Sequence, residues 1–199
     1  MANQEIRTVA SLIEQLQGDD RTKRLSAAGQ LADFEGEANE AIPILKSWIG
    51  SEDRYSHVTA LGAIIWIEKS EADALIPLLI DALEFDGLEQ WQAVVQPESL
   101  EELALPAIPT LERLVDEGDT TISWQASDAI YEITGDPSSV IEVGNRLLND
   151  PDELIRVVGV EHLMQLGEGV IPTLEKVADD DESDLVRNRA VAALAEIGP

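Results

Sequence analysis

Apolar residues recur along this chain at steps of three and four, the spacing of one face of an α-helix. The pattern also repeats on a longer scale. Asp20, Asp53, Asp86, Asp119 and Asp152 stand 33 residues apart. Ala27, Ala60, Ala93, Ala126 and Gly159 keep the same period, and Ala190 follows 31 residues later. A period of this size means one supersecondary unit copied along the polymer. Each unit opens with a helix, here called helix A. A small residue recurs in it where two helices approach closely. Three positions earlier comes a polar column: Arg24, His57, Gln90, Ser123, Arg156 and Arg187. The next position is apolar in Leu25, Val58, Trp91, Trp124 and Val157, with Asn188 in the last copy.

A second helix, helix B, is predicted to begin at Ala41-Ile42-Pro43, Leu75-Ile76-Pro77, Ala107-Ile108-Pro109 and Val170-Ile171-Pro172. Proline suits the first helical turn, where its missing N–H costs nothing. The fourth copy lacks proline, and Asp136-Pro137-Ser138-Ser139 is expected to start it with a serine cap. The periodic aspartates stand where an N-cap belongs, accepting free N–H groups at the positive end of the dipole. Asp184 is expected to do the same in the last copy. Gly36, Gly135, Gly167 and Gly198 suit left-handed helix stops. An amphipathic helix from Asn3 to Leu16, with Ile6, Val9, Ile13 and Leu16 on one face, opens the chain and covers the first unit.

The resulting expectation is a single all-α domain over residues 1–199: a right-handed α-solenoid of about five two-helix repeats plus terminal half-repeats. Residues 1–18 form the N-terminal cap, repeats begin near 20, 53, 86, 119 and 152, and a terminal helix spans 184–198. Val186-Arg187, Ala190, Ala193-Leu194 and Ile197-Gly198 resemble helix A of the short bacterial HEAT-like repeat. So do Ile155-Arg156, Gly159, Leu163 and Leu166-Gly167, and the Ile-Pro-x-Leu openings resemble its helix B. This repeat type is found in phycobilisome lyases. The resemblance covers about residues 20–198 and is specific for fold, not for function. Ankyrin and tetratricopeptide signatures are absent.

Charge is the second strong fact. Forty acidic residues face thirteen basic ones, a net charge of −27. Nucleic acid and anionic membranes are repelled, because binding them needs Lys and Arg. Attraction of a basic protein or peptide and imitation of nucleic acid both fit the acidity. Solubility accounts for it most simply. There is no cysteine, which removes disulfides and thiolate chemistry. No apolar run is long enough to cross a membrane and no signal peptide is visible, so the expected setting is the cytoplasm.

Catalytic and metal chemistry find little material. His57 occupies the polar column and reads as a substitute for a structural arginine. His162 lies on another helix, and Glu161-His162 reverses the His-Glu order of the iron-binding HEAT-fold hydroxylases. Asp179-Asp180-Asp181-Glu182-Ser183-Asp184 lacks the glycine and closing glutamate of a calcium loop and reads as a solvated turn with a cap. No metal, cofactor or small-molecule ligand is expected. The third repeat departs from the pattern. Pro97 falls inside its helix A, and Leu105-Pro106 adds a break. A bent helix there either widens a groove and exposes Trp91, or reflects drift. Trp91 shares its column with Trp124, which favours core packing for both.

The function expected is a non-catalytic scaffold for a protein or peptide partner. The resemblance implies an inner face lined by the B helices. Its candidate partner-binding residues are Asp81, Glu84, Glu112, Arg113, Asp116, Glu142, Arg146 and Glu175, together with Lys46 and Trp91. The alternatives are a bilin lyase or chaperone-like subunit, which the resemblance suggests, and an acidic nucleic-acid mimic.

Overall fold

The computed structural model of the chain describes residues 8–85 and 101–198. Among them are eleven α-helices and no strand: α1 Val9–Leu16, α2 Arg21–Ala32, α3 Ile42–Lys46, α4 Arg54–Ile67, α5 Ala72–Ala82, α6 Ile108–Glu117, α7 Thr120–Thr134, α8 Ser138–Leu148, α9 Glu153–Met164, α10 Ile171–Asp180 and α11 Asp184–Ile197. Short 3-10 turns at Glu35–Ala41, Lys69–Glu71, Glu101–Ala107 and Gly167–Val170 join some of them. The chain is an all-α solenoid whose contacts group into two units, Met1–Ala107 and Ile108–Pro199. In the first, α1 packs on α2, α2 on α4, and α3 and α5 on α4. In the second, α7 packs on α6 and α8, α9 on α8, and α11 on α9 and α10. Asp86, Gln90, Trp91, Ala93, Pro97 and Leu100 lie outside the described residues.

The aspartate ladder is a ladder of caps. Asp20, Asp53, Asp119 and Asp152 are the N-caps of α2, α4, α7 and α9, and each carboxylate accepts a backbone N–H of the first turn. In the last copy Ser183 takes this role in place of Asp184, which falls in the first turn. The small column is buried at Ala27, Ala60, Ala126, Gly159 and Ala190. At Gly159 the approach is closest: a Cβ there would lie 2.9 Å from the Leu148 backbone nitrogen and 3.0 Å from Leu147 Cβ.

The polar column has one structural job, done by different chemistries. Among the described residues, each side chain of the column reaches back to the turn before its own helix or to the end of the helix before that. Arg24 donates to the carbonyls of Gly18 and Asp19 at 3.2 and 3.4 Å, and Arg156 to those of Asp150 and Pro151 at 2.9 and 3.2 Å. Arg187 donates to the Asp181 carbonyl. Ser123 Oγ donates to Val115 O at 2.8 Å. His57 works in the opposite sense: its Nδ1 accepts the Gly50 N–H at 2.9 Å. Burial holds the His57 pKa below its ordinary value, so the imidazole is neutral and able to accept.

Several local expectations are corrected. Within the described residues the opening helix begins at Val9, because Thr8 is extended and forms a capping box with Ser11, and residues 3–7 of the expected helix lie outside them. Its buried contacts are Leu12 and Leu16. Pro77 lies inside α5, since Ala72, Leu75 and Ile76 are buried and draw the helix start upstream of the proline. The serine cap of α8 is absent. Pro137 is the N-cap, and Asp136 instead accepts from Ser138 N and Oγ at 3.0 and 2.6 Å. Gly135 is the left-handed stop of α7. After α2, however, the left-handed residue is Glu35, with φ of 45°, and not Gly36.

Candidate functional site

The residues expected to meet a partner lie on or next to the B helices. In the first unit, Lys46 ends α3, Asp81 is on α5 and Glu84 follows α5. Lys46 Nζ pairs with Glu71 at 2.7 Å. In the second unit, Glu112, Arg113 and Asp116 are on α6, Glu142 and Arg146 on α8, and Glu175 on α10. Arg113 pairs with Glu117 one turn on, at 3.1 Å. Arg146 Nη2 donates to Val115 O at 2.9 Å and so ties α8 to the end of α6. Glu112, Asp116, Glu142 and Glu175 are exposed, and among the described residues none of the four enters an ion pair. Trp91 lies outside the described residues.

Asp181, read as part of a solvated turn, is a structural anchor. Its carboxylate accepts from Arg156 Nε and Nη2 at 2.9 and 3.1 Å. The two side chains are 7% and 10% exposed, so the pair is withdrawn from water. The hydrogen bond from Arg156 lowers the Asp181 pKa, and the same bond raises that of Arg156. Among the described residues no group of three or more His, Cys, Asp or Glu could hold a metal ion. No helix is long and apolar enough to cross a membrane among them.

A buried polar cluster between α7 and α9 escaped the sequence reading. The backbones of α7 and α9 lie farther apart than those of α2 and α4 or α9 and α11. Side chains bridge the space. His162 Nε2 lies 3.1 Å from Ser127 Oγ and its Nδ1 3.3 Å from Asp128 Oδ1. Gln165 Nε2 donates to Asp128 Oδ1 at 2.6 Å and to the His162 carbonyl at 2.9 Å. The Trp124 ring meets the His162 imidazole edge-on, with centroids 5.9 Å apart. A column signal was available for Ser127, which stands where Ala28, Leu61 and Val160 stand in other copies; the column of His162 is mixed, with Gln30, Ala63, Gln96 and Ala129, and gave none. A polar intrusion in an apolar column marks a paired partner on the neighbouring helix.

Burial sets the protonation of this cluster. It lowers the His162 pKa to about 4. It pushes Asp128 up to about 6, with Glu132 adding to the rise and donors from Gln165 and Trp124 opposing it. The Trp124 indole N–H faces the carboxylate but stops short of a hydrogen bond. Ser127, His162 and Asp128 have the connectivity of a nucleophile, base and orienting acid. Ser127 is fully buried, however, and its hydroxyl donates to Trp124 O at 2.7 Å. No substrate reaches it, and the cluster is a packing device.

Residues 109–195 match the family model described as HEAT repeats. No curated protein matches the sequence. Among solved structures, the chain is similar to one in the complex of CpcE and CpcF of phycocyanin lyase from Nostoc sp. PCC7120. The TM-score is 0.50 at 19% identity, over 100% of this chain and 91% of that one. At that identity the likeness shows the fold alone, an all-α solenoid, with the HEAT-repeat match confined to residues 109–195.

Proposed function

We propose that this protein is a non-catalytic scaffold of the cytoplasm that binds a basic protein or peptide along its B helices. HEAT repeats suit interaction with other proteins, and the fold by itself carries no chemistry. The observation that supports a basic partner is the set of unpaired carboxylates Glu112, Asp116, Glu142 and Glu175, spread over three B helices of one unit. The helices that carry these groups are packed, α6 and α8 on α7 and α10 on α11, so little ordering entropy is lost on binding. Like-signed charge on such a surface speeds encounter with an oppositely charged partner and sets specificity.

The test is the association rate of a basic peptide, measured at low and high salt. Glu142→Lys with Glu175→Lys is expected to slow association by about tenfold at low salt and less at high salt. An unchanged rate overturns the electrostatic reading. The bilin-lyase alternative draws on fold likeness alone; a shifted bilin absorption band on mixing would restore it. The nucleic-acid-mimic alternative requires the protein to compete with DNA for a basic protein.

A further inference from the structure

A groove runs between α2 and α4 in the first unit, with a volume of about 370 Å³. Gly29, Ala32, Gly62 and Ala63 line it together with Trp66, Asp33 and Glu35. Three local rules are broken around it, and each break has a cost that packing does not explain.

The first is Gly29. It sits in the interior of α2, where glycine costs up to about 1 kcal/mol relative to alanine. A Cβ built there would meet nothing within 4 Å, so no neighbouring atom demands the glycine. Its absence of side chain serves only to keep the groove open. The second is charge placement. Asp33 is the C-cap of α2 and Glu35 follows it, two carboxylates at the negative end of the helix dipole, with no basic residue in the last turn. Both are exposed, and among the described residues neither enters an ion pair. The third is backbone strain: Glu35 is held at φ of 45°, a conformation that a residue with a Cβ adopts at a cost. Departures from local consistency that gather in one place mark a functional site.

A bound cation relieves the second of these costs, because it offsets both carboxylates at the negative end of the dipole. The aromatic ring selects the same charge. Trp66 already draws one cation: Lys69 Nζ lies 6.0 Å from its ring centroid, the outer limit of such a contact, and Lys69 is exposed and easily displaced. A planar guanidinium stacks flat on an indole while its fork of N–H groups reaches a carboxylate bidentately, and an ammonium has neither the plane nor the fork. We propose that this groove is a pocket for an arginine side chain of a basic partner segment, stacked along Trp66 and held by Asp33 and Glu35. The proposal goes beyond the scaffold reading, since the groove lies between two A helices and not on the B helices, and it rests on the partner being basic.

Isothermal titration with an acetylated peptide of alternating glycine and arginine tests it. Gly29→Leu fills the groove without changing charge, and its Cβ meets no atom within 4 Å. It is expected to weaken binding about tenfold, as is Asp33→Asn with Glu35→Gln. Glu14→Gln with Glu168→Gln, equal in charge change but outside both the groove and the B helices, is expected to leave most of the affinity. Replacing arginine by lysine in the peptide should weaken binding to the wild type and make no difference to Gly29→Leu. If the wild type does not bind the peptide, the basic-partner reading and the pocket fall together. If Gly29→Leu binds as tightly as the wild type, the pocket alone falls.

Discussion

Removing the Asp128 carboxylate should give this protein a pH-dependent stability that the wild type lacks at this site. His162 in the folded state has its pKa lowered to about 4, against about 6.5 unfolded. Between those values the unfolded chain binds a proton at His162 and the folded chain does not, so this group makes stability rise with pH. Asp128 is shifted the other way, to about 6 folded against about 3.9 unfolded. Between those values the folded chain holds the proton, and this group makes stability fall with pH. From pH 4 to 6 both states of the wild type bind one proton across the pair, and the two slopes cancel. Asp128→Asn removes one of them. Relative to wild type, its unfolding free energy should then climb by about 1.4 kcal/mol per pH unit, or about 2 kcal/mol from pH 4.5 to 6. His162→Gln should show the opposite slope, of similar size. Urea denaturation followed by far-ultraviolet circular dichroism at several pH values measures both. Taking differences from wild type removes the background of the other carboxylates. Glu132, on the same helix as Asp128, is the neighbouring charge that contributes to its raised pKa and stays present throughout. Parallel pH profiles for Asp128→Asn and wild type would refute the reasoning.

Three further outcomes are expected. Gly159→Ala should lower stability by about 2 kcal/mol in urea denaturation, since its Cβ would press on the Leu148 backbone and not on a movable side-chain tip. Asp119→Ala should cost about 1 kcal/mol, by leaving the Ile122 N–H, now bonded at 2.9 Å, without its cap. Glu35→Gly should raise the thermal midpoint by relieving about 1 kcal/mol of left-handed backbone strain; the same change should weaken arginine-peptide binding by removing a carboxylate that lines the groove.

Much of the fold was legible because repetition averages out local noise. Four aspartates at one period are four independent statements that a helix begins there, and all four cap. The small column was equally readable, since close helix approach excludes every larger residue. What failed depended on competition between neighbours. Pro77 looked like a helix start, but the apolar residues before it gain more by burial than the proline costs. Asp184 looked like a cap, but Ser183 is one residue closer to the turn. The left-handed residue after α2 is a glutamate although a glycine is adjacent, a choice that no propensity favours. The Ser127–Asp128–His162–Gln165 cluster was missed because its members were read within their own helices, whereas their partners stand one repeat away.

The clamp made by the polar column bears on how this chain tolerates change. Surface connections between helices are ordinarily the places where extra residues are accepted without harm. Here Arg24, Arg156 and Arg187 each grip a carbonyl five or six residues upstream. An insertion between the grip and its acceptor would pull that carbonyl out of reach. The connections have thereby become rulers. The even spacing of the aspartates is the record of lengths that could not drift while the residues around them did.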